Sequence, residues 1–248
     1  MSNRPIEISK VILRSIGFLT VCMVVIQGAP SFTNHAVAPL VCGHSNYTKW
    51  ILPCGGACTP EKDSGTQMAK ISETLGTIRM HMEEAHDMTE HLKEKYRRYR
   101  ISSTEMVTQI EREQSHVFMN GNIDFIDEVE KVNLSNVTEM ITANYDSMVA
   151  AIMFAEQIRF NEDSSHVYRD MSEELKRLSD KLATILCEFE RIECISGNMP
   201  STQLTCQSTV SKMIEFWKTE EYRMRAEYWI LRDIQNYLAT LISKYQLI

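Results

Sequence analysis

The sequence predicts an all-α fold: an elongated antiparallel four-helix bundle, up-down-up-down, with an irregular N-terminal segment tethered to it by disulfides. Three observations predict it. Over residues 168–192, Tyr168, Leu175, Leu182 and Phe189 recur every seven residues, and Met171, Leu178, Ile185 and Ile192 follow each by three. Such a seam with no polar interruption reads as a long helix buried along one side. Comparable seams stand before and after it, and ahead of them all lies a Pro- and Gly-bearing stretch with no sustained period.

Residues 1–28 read as a secretory signal peptide. Arg4, Lys10 and Arg14 precede an apolar run over 16–26, and the small residues Gly28 and Ala29 follow. That run is about eleven residues, whereas a bilayer span takes about twenty, so cleavage after Gly28 and secretion are expected, with no membrane span afterwards. Cleavage takes away three basic residues and one acidic residue, leaving the mature chain near −9 rather than −7. An acidic chain without a basic cluster is a poor partner for nucleic acid or anionic lipid.

Residues 29–65 read as an extended strap. It carries Pro30, Pro39, Pro53 and Pro60 with Gly43, Gly55 and Gly56, and Trp50 gives it something to bury. The bundle itself is expected over 66–248. The first predicted helix, about 66–118, places Met68, Leu75, Met82, Thr89 and Tyr96 at one core position and Ile71, Ile78, Ala85, Leu92 and Tyr99 at the other. Met106 and Ile110 carry it past a polar patch at Ser102, Ser103 and Thr104. The second, about 123–160, is the least regular; Asn136 with Glu139 resembles an N-cap and its reciprocal partner. The third, about 164–196, holds the uninterrupted seam and ends at Gly197 and Pro200. The fourth, about 201–246, carries Val210, Trp217, Met224, Leu231, Leu238 and Tyr245. Glu220 and Glu227 fall on its inward slots, so its seam is expected to drift. The links before and after the third helix read as short, which favours antiparallel neighbours.

Loss of Cys22 leaves Cys42, Cys54, Cys58, Cys187, Cys194 and Cys206, an even six that favours three disulfides in an exported chain. Cys187 and Cys194 lie on the face of the third helix opposite its seam, so at least one strap cysteine is expected to bond that helix. Zinc at Cys42, His44, Cys54 and Cys58 is disfavoured because an oxidising compartment removes thiolates. Asn46, Asn133 and Asn136 open N-x-S/T triplets and are expected glycan sites behind a signal peptide.

Catalytic signatures are missing from the sequence: there is no Gly-x-Gly-x-x-Gly, no phosphate-cradling loop and no nucleophile elbow. No enzyme activity, cofactor or metal is expected. His81, His86 and His91 stand five apart, which rotates each by about 140° from the last, so one helix cannot converge them. Glu83-x-x-His86 and Glu113-x-x-His116 would be di-iron elements only if they faced inward, and the inward slots are already filled. Met68, Met82, Met171, Met213 and Met224 read as core.

The outward face of the fourth helix carries more. Tyr222 and Trp229 stand seven apart there, with Arg225 and Arg232 three beyond each and Arg223 beside Tyr222. Aromatic and Arg side chains dominate interface energetics, so these five are the expected partner-binding residues. The competing reading is that another piece of the chain covers them.

The overall plan resembles secreted helical-bundle cytokines: a signal peptide, a disulfide-pinned N-terminal segment, four long helices and an aromatic last helix. The resemblance implies a non-enzymatic ligand docking an extracellular protein or receptor. The chain departs from it in one respect, since long-chain cytokine bundles run up-up-down-down with two long crossovers, and the links here read short. The alternatives are an extracellular carrier of a lipid or other apolar small molecule and a self-assembling rod.

Overall fold

The computed structural model describes residues 54, 64–101, 103–112, 134–165, 169–197 and 219–245. Among the described residues the chain is entirely helical: α1 (Ser64–Arg100), α2 (Thr104–Arg112), α3 (Leu134–Ser165), α4 (Arg169–Ser196) and α5 (Glu220–Tyr245). They belong to one unit, Ala36–Ile248; the expected signal peptide, Cys42, Cys58, Cys206, Asn46, Asn133, Met213, Glu113 and His116 lie outside the described residues. No described helix is long and apolar enough to cross a membrane.

The seams account for the packing. Leu175, Leu182 and Phe189 with Met171, Leu178, Ile185 and Ile192 are all buried, as expected of α4; Tyr168 lies outside the described residues. The buried stripe of α4 is wider than its heptad seam and takes in Ser172, Ser179, Leu186 and Glu193, because α4 is packed against both α1 and α3. On α1 the inner positions from Ile71 to Tyr96 are buried, whereas Met68 and Tyr99, expected in the core, stand exposed. Met82 and Met171 are buried and Met224 is half-buried.

Helix directions overturn the up-down-up-down order. Gln67 at the start of α1 donates to the Ile195 carbonyl at the end of α4 (2.7 Å), and Lys95 near the end of α1 meets Glu174 near the start of α4 (2.7 Å), so those two run oppositely. Tyr96 pairs with Glu227 at the start of α5 and Lys93 with Gln235 further along, the same antiparallel sense. Helix α3 opposes α4 through Thr142–Glu193 and Ser179–Glu156, and opposes α5 through Tyr237–Asn144 and Asn161–Glu227. Arg100 at the end of α1 grips Glu162 near the end of α3. Helices α1 and α3 therefore run one way, and α4 and α5 the other.

Three boundaries differ from the sequence expectation for local reasons. The first helix stops at Arg100 rather than continuing to 118, because Ser103 caps a new one: its Oγ accepts the Met106 N–H (3.3 Å) and its carbonyl the Val107 N–H (3.1 Å). The described part of the second runs from Leu134, which puts Asn136 within the helix instead of at its cap. The last starts at Glu220 rather than near 201, where Thr219 Oγ1 accepts the Tyr222 N–H (3.2 Å). Gly197, at φ 81°, ends α4 as expected, its N–H donating to Cys194 O (3.0 Å).

Candidate functional site

Start of α5 and its cover. Tyr222, in the first turn of α5, is exposed, and its ring meets Trp229 edge-on at 6.2 Å. Trp229 is buried, with its indole N–H donating to Ile110 O at the end of α2 (3.2 Å). Arg232 donates to the same carbonyl (3.3 Å), and the Tyr228 hydroxyl to Glu111 (3.2 Å). The expectation of an outward Trp229–Arg232 pair is thereby corrected: α2 lies over them, and two donors from α5 converge on one of its carbonyls. Arg223 and Arg225 are half-buried beside Tyr222, and Arg223 Nε comes to 3.9 Å of Glu227.

Beneath this surface lies a buried polar layer that sequence reasoning missed. Glu227 does not displace the seam of α5; it stays in the core. Tyr96 OH donates to its Oε2 (2.6 Å) and Asn161 Nδ2 to its Oε1 (2.6 Å), while Gln157 Nε2 donates to Asn161 Oδ1 (3.0 Å). Beside it one terminal nitrogen of Arg100, Nη2, donates to both carboxylate oxygens of Glu162 at 2.8 and 2.9 Å. Burial pushes the Glu227 carboxyl above its usual range, opposed by the Tyr96 and Asn161 hydrogen bonds and by Arg223. Burial, reinforced by Glu227, likewise pushes the Tyr96 hydroxyl well up. Tyr228, buried beside Glu111, is pushed up to about 12, chiefly by burial.

At the opposite end, Cys54 is disulfide-bonded to Cys187 with a Cα–Cα distance of 4.9 Å, so a strap cysteine does bond the third long helix. Cys194 is also disulfide-bonded, to a cysteine outside the described residues. The Cys54 N–H donates to Glu190 (3.2 Å). One turn on, Glu193 is buried, receives the Thr142 hydroxyl on Oε1 (2.7 Å) and has no hydrogen-bond partner for Oε2.

The histidines of α1 go to different neighbours. His81 lies 3.3 Å from Lys181 Nζ, His91 3.8 Å from Glu174 and His86 3.4 Å from Asp87. Lys181 also pairs with Glu84, and that contact holds the Glu84 carboxyl below its usual range. His86, Asp87 and Glu90 bring ligand-type atoms within 4.8 Å of one another on the open side of α1, an arrangement that a solvated charged face accounts for.

No protein-family model, curated protein or solved structure matches the chain.

Proposed function

We propose that the protein is a secreted, non-enzymatic helical-bundle ligand that docks an extracellular protein or receptor through a helix face, as the resemblance to helical cytokines implies. The helix order carries this reading. Two long helices running one way are followed by two running the other, and the segments joining α1 to α3 and α4 to α5 are both long. Of the two links read as short from the sequence, the one before α5 is long and the one between α3 and α4 stays short, an order that supports the resemblance.

The proposed contact surface is the end of the bundle where α1 finishes and α5 begins. Tyr99 and Tyr222 are its exposed aromatic side chains, with Arg223 and Arg225 alongside, and Trp229 and Arg232 hold the platform from beneath. Labelled protein is expected to bind saturably to trypsin-sensitive sites on cells from its own source. Tyr99→Ala combined with Tyr222→Ala, at unchanged melting temperature, is expected to weaken that binding at least tenfold, about 1.4 kcal/mol. Binding that never saturates, or that survives trypsin treatment of the cells, contradicts the function; full affinity in the double variant contradicts the surface.

A further inference from the structure

The contact between the start of α3 and the end of α4 contains a buried acid that its surroundings do not neutralise. Glu193 is 1% exposed, enclosed almost as fully as the apolar core positions Leu186, Phe189 and Ile192 beside it. Four hydrogen-bond positions are open to an ionised carboxylate, yet it receives one donor, the Thr142 hydroxyl, and Oε2 receives none. An isolated buried charge costs far more than one hydroxyl returns, so such a group either loses its charge or leaves its site.

The facing groups make the site more hostile to charge. From α3 come the Thr142 hydroxyl, the Tyr145 hydroxyl and, further along, Asp146; from α4 itself comes Glu190, whose carboxylate is occupied by the Cys54 N–H from the strap. Helix α1 contributes Gln67, whose amide is spent on the Ile195 carbonyl. The charged groups acting on Glu193 and its neighbour Tyr145 are Glu190 and Asp146, all acidic.

We infer that Glu193 is a proton-operated latch: as a neutral carboxyl it closes the start of α3 onto the end of α4, and as a carboxylate it loosens that contact beside the strap's disulfide attachment. Burial, with Glu190 adding to it and Thr142 opposing, raises the Glu193 carboxyl above its ordinary value. An acid raised on folding favours the fold when protonated. Its contribution is in place below the ordinary carboxyl value near 4.5 and is lost as pH rises through the folded value. The latch is therefore closed below the ordinary carboxyl value and slackens as pH rises above it.

Hydrogen exchange of the full mature chain, disulfides intact, at about pH 5 and about pH 8 with intrinsic rates removed, tests this. The amides of Thr138, Thr142, Tyr145 and Ile192 are expected to lose protection at the higher pH. Glu193→Gln, an uncharged isostere, is expected to keep protection at the higher pH and to abolish most of the difference. Wild-type protection that does not fall, or a fall that persists by more than half in Glu193→Gln, overturns the inference. Should the variant fail to fold, carbon-13 titration of the Glu193 carboxyl in the wild-type chain decides it: a midpoint above the ordinary Glu value supports the latch, and one at or below it overturns it.

Discussion

The two ends of the bundle differ in how fully they partner their buried carboxyls. Where α1 finishes, Glu162 and Glu227 are enclosed together with Arg100, Tyr96, Asn161 and Arg223, so each acid has a charged or strongly donating partner from another helix or from the next turn. Where α1 begins, Glu193 is as deeply enclosed but has one hydroxyl and an acidic neighbour. The first end joins three helices through an ion pair and a carboxyl hydrogen-bonded on both oxygens, and the second is held by a disulfide and a carboxyl with a single donor. One end specifies which helices meet, because Arg100–Glu162 can form only if α1 and α3 run in parallel; the other is positioned to respond to its surroundings.

That contrast breaks most readily at Arg100. Arg100→Ala leaves Glu162 buried without its guanidinium partner, and the expected loss is about 3–5 kcal/mol of unfolding free energy, measured by urea denaturation. A loss no larger than that of an exposed pair would show that Glu162 is not held as described. A smaller loss, about 2–4 kcal/mol, is expected when Cys54 and Cys187 are both changed to Ser, since that bond closes a loop of 133 residues in the unfolded chain. The same variant sharpens the comparison through its hydrogen exchange. Protection is expected to fall around Glu193 and Cys194 and to stay unchanged around Tyr96 and Asn161.

The sequence made some of this legible. The α4 seam was readable because every inward slot from Met171 to Ile192 is large and apolar, and the outward cysteines pointed correctly to a strap attachment. Helix order was hidden because Val210, Met213, Ile214 and Trp217 stand in phase with α5, so periodicity ran past the cap at Thr219 and made a long connection look short. Trp229 misled for a related reason: a heptad pattern marks the face turned from the main seam but cannot register a fifth helix lying on that face. The polar layer escaped because Glu227 takes its hydrogen bond from Tyr96, 131 residues away, and Glu193 its single one from Thr142, 51 residues away. Polarity on an inward slot reads as drift when the partner is so distant in sequence. Tyr96, an inward residue whose hydroxyl needs an acceptor, was the available hint.

The proposed function depends above all on α1 and α3 running in parallel, and spin-label distances test that directly. Nitroxides are placed at Ser72 and Glu139 in one sample and at Arg98 and Glu139 in another, all three positions being exposed. With Arg100 beside Glu162, the Arg98–Glu139 separation is expected to exceed the Ser72–Glu139 separation by on the order of 15 Å at 1.5 Å of rise per residue. A longer Ser72–Glu139 distance would mean that α3 opposes α1, contradicting both the helix order and the reading built on it.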